Sequence, residues 1–222
     1  MIEYYGINIV QGNATTLLGS VKRESVALVI GDPPYQVSRE CNLGNMGRTG
    51  FNFAFDKVFD QRLWLTRISR VIAPGGSIVV FNDWKKLGQV ARNLKGMDIK
   101  DHLIWIKANP RRANQKRRFL ADKENMVWAT KGRHWTFNGD GVPSVYYHPV
   151  ARAKNRHPCE KPLSLMLELV SLLSRPGDLV LDPFMGHGVV GQACQQLGRK
   201  YLGFELKEEY FLEAERRLNV LA

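Results

Sequence analysis

Three short clusters in this chain carry residue types able to do chemistry. The first is Gly31-Asp32-Pro33-Pro34-Tyr35, directly after the apolar run Val26–Ile30. Two consecutive prolines fix the backbone and remove two N–H donors. What is left is an acceptor-rich edge: the Asp32 carboxylate and a main-chain carbonyl, with the Tyr35 ring alongside. Such an edge suits an amino group conjugated to a flat ring. Accepting its hydrogens localises the nitrogen lone pair, and a pre-placed carboxylate stabilises the positive charge that grows as the nitrogen attacks. Taken alone, the four residues read equally well as a rigid turn with a capping Asp.

The second cluster is Leu181-Asp182-Pro183-Phe184-Met185-Gly186-His187-Gly188, again between an apolar run and a helical pattern. A Gly-x-Gly turn after a strand lets backbone approach a ligand closely and points a helix N-terminus at it. About 20 residues on stands Glu205, an acid placed at a strand end to bind ribose hydroxyls. Together these fit a nucleoside cofactor, without separating a nicotinamide dinucleotide from S-adenosylmethionine. The third cluster, His157-Pro158-Cys159-Glu160-Lys161-Pro162, opens a helix. Lys161 near a helix N-terminus makes a carboxylate or phosphate site. His157 and Cys159 have no further ligands at metal spacing, so no metal is expected.

The elements that must position these clusters alternate. Strands are expected at Ile7–Gln11, Val26–Ile30, Ser77–Phe81, His102–Ile106, Glu124–Ala129, Leu179–Leu181 and Tyr201–Phe204. Helical spacing marks Phe59–Ile72, which stops before Pro74-Gly75-Gly76, and then Trp84–Leu94, Leu163–Leu173, Val189–Leu197 and Lys207–Leu218. This rhythm predicts an α/β protein with ligands at the carboxyl ends of its strands. Residues 36–57 and 108–160 break the rhythm, being Gly/Asn-rich or basic and short of apolar runs; long irregular stretches of this kind are commonly functional.

Composition limits the function classes. The chain has 222 residues, 44% hydrophobic and 24% charged, which suits one globular domain with or without an insertion. No apolar run approaches the roughly 20 residues that span a bilayer, and the start carries no visible secretory signal. Cys41, Cys159 and Cys194 are odd in number and far apart, fitting a reducing cytoplasm rather than a disulfide framework. The net charge is +11, and residues 107–157 hold twelve Lys/Arg against three acids, a net +9. Basic excess concentrated in one segment points to a polyanion surface. A solvated basic loop is the plainer reading.

The three clusters together resemble the β-group DNA amino-methyltransferases. DPPY at 32–35 is similar to that family's catalytic motif, HPCEKP at 157–162 to its HPxxKP segment, DPFMGHG at 182–188 to its cofactor loop, and GFELKEEYFLEAERRL at 203–218 to its acidic strand and following helix. The likeness covers nearly the whole chain, with the catalytic loop first and the cofactor loop last. It implies a circularly permuted Rossmann-like methyltransferase fold with a mostly parallel seven-stranded sheet flanked by helices. It implies three segments: a catalytic half at 1–107, a basic target-recognition insertion at 108–156, and a cofactor half at 157–222.

The resemblance also implies roles. Asp32, Pro33, Pro34 and Tyr35 hold and activate a flipped base. Asn13, Asp32, Lys161, Pro162, Asp182, Phe184, Gly186, Gly188 and Glu205 bind S-adenosyl-L-methionine, with Lys161 and Pro162 at its methionine end. Asn13 stands where the family usually has Asp, and His187, Val189 and Val190 replace its usual Ser-Thr-Thr. Arg111, Arg112, Lys116, Arg117, Arg118, Lys131 and Arg133 face double-stranded DNA. The expected activity is adenine-N6 methylation at a short site after base flipping. N4-cytosine methylation, RNA methylation and an inactive DNA-binding relative are the alternatives. A nicotinamide oxidoreductase would not explain DPPY or the basic segment. A homodimer and a cognate restriction endonuclease stay open as partners, and the expected location is the cytoplasm, with no membrane.

Overall fold

The computed structural model describes residues 5–34, 59–110, 119–150 and 160–220. Fifteen short elements alternate along it. They are β1 (Ile7–Gln11), α1 (Ala14–Leu17), β2 (Val26–Gly31), α2 (Gln61–Val71), β3 (Ile72–Asn82), a 3-10 turn (Trp84–Lys86), α3 (Leu87–Asn93), β4 (Asp98–Lys107), β5 (Lys123–Thr130), β6 (Val145–His148), α4 (Leu163–Leu173), β7 (Leu179–Asp182), α5 (Val189–Leu197), β8 (Lys200–Glu205) and α6 (Glu208–Leu218).

The strands form one sheet in the order β1-β8-β7-β2-β3-β5-β4-β6. Pairs β1–β8, β8–β7, β7–β2, β2–β3 and β4–β6 are parallel, while β3–β5 and β5–β4 are antiparallel. The sheet is mostly parallel, as expected, but has eight strands among the described residues instead of seven. The extra one is β6, inside the stretch that lacks apolar runs. It is an edge strand of four residues, and only Tyr146 is buried. A second difference concerns Pro74-Gly75-Gly76. Helix α2 ends at Val71 and β3 starts at once, running through the Pro-Gly-Gly. The pairing with β2 absorbs it as an irregularity: Val26 faces Ile72 but Leu28 faces Ser77. The expected helix Trp84–Leu94 divides into the 3-10 turn and α3.

Period-2 alternation sends side chains to two cores. In β3, Val79 and Phe81 join a core with α4, α5 and α6, while Ile78 and Val80 join a core with α1, α2 and α3. Each such fully buried aliphatic or aromatic side chain is worth about 1.5–3 kcal/mol. The terminal helix packs beside the first strand, since β1 pairs with β8 and α6 packs on β1. The Asp32 loop and the Gly186–Gly188 turn lie far apart in the chain yet follow neighbouring strands, β2 and β7. Among the described residues no helix is long and apolar enough to cross a membrane.

Candidate active site

The carboxyl ends of β1, β8, β7, β2 and β3 all point the same way, and β5 runs against β3, so its first residues reach that end as well. This edge collects Asn13, Asp32-Pro33-Pro34, Asn82, Glu124, Asp182, Phe184, the Gly186–Gly188 turn and Glu205. Tyr35 lies outside the described residues, as do Arg111, Arg112, Lys116, Arg117, Arg118, His157, Pro158 and Cys159.

Asp32 follows the last residue of β2, with a side chain 29% exposed. Its Oδ2 takes a short ion pair from Nζ of Lys161, a residue only 6% exposed. Buried lysines are found where they are paired. Lys161 Nζ also lies 3.2 Å from Glu124 Oε2 and 5.1 Å from the centre of the Phe81 ring. Among the described residues the Lys161 ammonium thus faces two carboxylates. Pro162 is buried, and its carbonyl accepts the first turn of α4 from Leu165 and Met166.

The floor beneath the Asp32 loop is aromatic. Trp64 packs under Gly31 so closely that a Cβ there would stand 2.9 Å from the indole. Trp64 meets Phe184 edge-on at 5.1 Å, and Phe184 meets Phe59 at 5.4 Å. The loop after β2 and the loop after β7 therefore share one rigid base.

The cofactor loop turns on Gly186 (φ +52°) and Gly188 (φ +76°), left-handed conformations that favour glycine. Space around the missing Gly186 Cβ is open, whereas a Cβ on Gly188 would press on Leu218 at 3.0 Å. Glu205 ties the loop down. Its Oε2 accepts from Gly186 N–H at 3.0 Å and its Oε1 from Lys207 N–H at 2.9 Å. Burial pushes the Glu205 carboxyl up, and these backbone donors pull it part of the way back. An open glycine turn, an acid at the next strand end and neighbouring aromatic rings together suit a nucleoside.

The departures from the family pattern have local explanations. Asn13 caps α1, its Oδ1 accepting from Thr15 N–H at 2.9 Å and Thr16 N–H at 3.4 Å. Val189 and Val190 are buried in the core. His187 packs edge-on against Tyr210 at 5.2 Å, with Nδ1 3.7 Å from Glu160 Oε2. Arg217 of α6 forks onto both Glu160 oxygens at 3.1 Å. These positions staple the cofactor loop to α6.

Lys131 lies away from this edge. It follows β5, whose last residue faces Ser77 midway along β3, away from the carboxyl end of that strand. Its Nζ donates to the carbonyls of Ile72 (2.9 Å) and Ser69 (3.4 Å) and pairs with Glu24 at 2.9 Å. Lys131 thus caps the end of α2, and the structure does not bring it, or the neighbouring Arg133, to the catalytic edge. Two residues the sequence reading missed do belong there: Glu124, and Lys107 at 2.9 Å from Glu124 Oε1. The one available signal was an acid inside an otherwise basic segment.

Asp182 is buried at 3% exposure and accepts from Phe184 N–H (3.2 Å) and Tyr201 O–H (3.3 Å). Burial pushes its carboxyl up to about 8 from an ordinary 3.8; the Phe184 N–H opposes this and the Asp32 charge adds to it. Between those two values the folded chain holds a proton that the unfolded chain has lost, so stability falls as pH rises through that window. The penalty is absent below the lower value and complete above the upper one. Asp182→Asn is expected to flatten the ligand-free protein's thermal stability between about pH 4 and pH 8, where each pH unit carries at most about 1.4 kcal/mol. An unchanged slope in denaturation scans would show that Asp182 stays ionised.

Comparison with known proteins agrees with this geometry. The family model for the N6/N4 type of DNA methylase matches residues 26–216. The chain is 30% identical over 245 residues to the type II methyltransferase M.HinfI of Haemophilus influenzae, covering 95% of this chain and 67% of that one. It is 28% identical over 242 residues to the type II methyltransferase M2.LlaDCHI of Lactococcus lactis subsp. cremoris, covering 95% and 88%. The crystal structure of an M1.HpyAVI–SAM complex superposes with a TM-score of 0.74 at 31% identity, covering 96% of this chain and 100% of that one. The cytosine-N4-specific PvuII DNA methyltransferase superposes with a TM-score of 0.74 at 19% identity, covering 99% and 88%, a likeness of fold alone. With its Asp-Pro-Pro loop and its glycine turn side by side at the ends of β2 and β7, the chain belongs to the N6/N4 DNA methylase family, whose methyl donor is S-adenosylmethionine.

Proposed function

We propose that this methyltransferase modifies the exocyclic N6 of adenine in double-stranded DNA, at a short specific site, after flipping the base out of the duplex. The observation that carries the proposal is the Asp32 carboxylate at the end of β2, held through Oδ2 by the buried Lys161. One oxygen is thereby engaged by protein, and the other accepts an amine hydrogen. The Pro33 carbonyl accepts the second. With both N–H bonds held, the nitrogen lone pair leaves conjugation with the ring and points along the transfer direction. S-adenosylmethionine, when bound, supplies the activated methyl group. Asp32 then stabilises the positive charge that the methyl group brings to nitrogen, while the carbon–sulfur bond breaks to leave a neutral thioether and the surplus N–H proton passes to solvent. Pairing and stacking bury the amine in a duplex, which is why flipping is required.

The same reading assigns residues 108–156 to target recognition, with Arg111, Arg112, Lys116, Arg117 and Arg118 meeting phosphates and base edges. Phe119, which follows this run, is fully exposed at 101%. It also places the enzyme in the cytoplasm, where DNA is accessible. A second copy of the chain and a cognate restriction endonuclease are partners that sedimentation and co-purification would test. DNA from a methylation-free host expressing the chain, sequenced with detection of modified bases, is expected to show N6-methyladenine at one short motif. N4-methylcytosine at the motif would overturn the assignment of the base.

A further inference from the structure

Four charged side chains at the catalytic edge alternate in sign. Lys107 Nζ stands 2.9 Å from Glu124 Oε1, Glu124 Oε2 stands 3.2 Å from Lys161 Nζ, and Lys161 closes on Asp32. The side chains are 18%, 23%, 6% and 29% exposed in that order, so water screens them little. Among the described residues two ammonium groups face two carboxylates, and this row is formally neutral. Lys161 is also fixed against the Phe81 ring and cannot swing away without exposing that contact.

This arrangement resolves a conflict. A buried ammonium orients Asp32, but its full charge would cancel the negative potential that Asp32 must present to a nitrogen becoming positive. We propose that Glu124 is a positioning residue for methyl transfer: by sharing the Lys161 ammonium it holds Lys161 on Asp32 while leaving Asp32 its charge for the substrate amine. Lys107 in turn keeps Glu124 ionised. Burial would push the Glu124 carboxyl up, yet Lys161 and Lys107 together hold it below the usual range. The role deepens the proposed function of the same site and rests on it, although it is indifferent to which exocyclic amine is methylated.

The test compares single-turnover methyl transfer with cofactor affinity. Glu124→Gln leaves one surplus positive charge in the row. It is expected to slow transfer by about 10- to 100-fold, the equivalent of one to two pK units of misplaced charge, with the calorimetric affinity for S-adenosylmethionine within about twofold. Adding Lys107→Gln restores neutrality and is expected to recover at least about half of that loss on a logarithmic scale. A purely structural role predicts the reverse, a double variant no better than the single. Normal transfer by Glu124→Gln, or no recovery on adding Lys107→Gln, overturns the proposal. Should Glu124→Gln not fold, Glu124→Asp keeps the charge and is expected to stay within about fivefold of wild type; a folded Glu124→Asp with a hundredfold loss also overturns it. Rates are read on whichever base sequencing identifies, so a cytosine product would defeat the assignment of the base and leave this test intact.

Discussion

Asp32→Ala is expected to remove at least about 10² to 10³ of the methyl-transfer rate, the usual cost of deleting one pre-placed stabiliser of transition-state charge. S-adenosylmethionine affinity is expected to change little. The carboxylate sits at the end of β2 and answers to Lys161, while the cofactor loop is held from the β8 side by Glu205 and from α6 through His187 and Arg217. The variant leaves Lys161 facing Glu124, so a buried ammonium keeps one partner and the fold is expected to survive. Single-turnover transfer measured beside calorimetric cofactor binding separates the two effects. Near-normal transfer would remove Asp32 from the reaction. A parallel collapse of cofactor binding would make it a binding group instead.

Glu205→Ala is expected to cost about 10- to 100-fold in cofactor affinity, the size of one or two hydrogen bonds to a charged acceptor. The effect has two sources. On the proposed reading the cofactor's ribose hydroxyls lose their acceptor, and the Gly186 turn loses the Oε2 that pins it. Glu205→Gln, which retains an oxygen for one of the two backbone donors, is expected to fall between. DNA affinity without cofactor should be unchanged in both. The raised Glu205 carboxyl adds a pH signature: cofactor affinity should weaken as pH falls through its pKa, because the protonated form gives up an acceptor. Calorimetric affinities that are flat with pH, and equal in the three proteins, would take Glu205 out of the pocket.

Local chemistry made much of this readable before any tertiary contact was known. Val26–Gly31 and Leu179–Asp182 are strands because buried parallel strands are short continuous apolar runs. The loops behind them could be placed at the carboxyl edge because ligand loops in such sheets leave from strand ends. Glu205 was reachable by the same counting. Elements bounded by strong punctuation were read closely: α4 begins after Pro162 and α5 ends at Gly198 in a left-handed cap. Pro74-Gly75-Gly76 misled in part, since it ends no helix by itself and is taken up inside β3 by an irregular pairing that only the neighbouring strand defines.

By itself the sequence determined the α/β class and the two turns that follow β2 and β7, because each is written in a few adjacent residues whose backbone preferences act locally. It also determined the concentration of positive charge in residues 107–157. Only the tertiary structure decided which charges meet. Lys161 and Asp32 are 129 residues apart in the chain. Glu124 joins them only because β5 runs antiparallel to β3, which carries its first residues, and not its last, to the catalytic edge. The same reversal sends Lys131 to the far end, where it caps α2. Strand direction and register are properties of pairing between distant segments. No periodicity along one segment encodes them, and the position of every long-range ion pair depends on them.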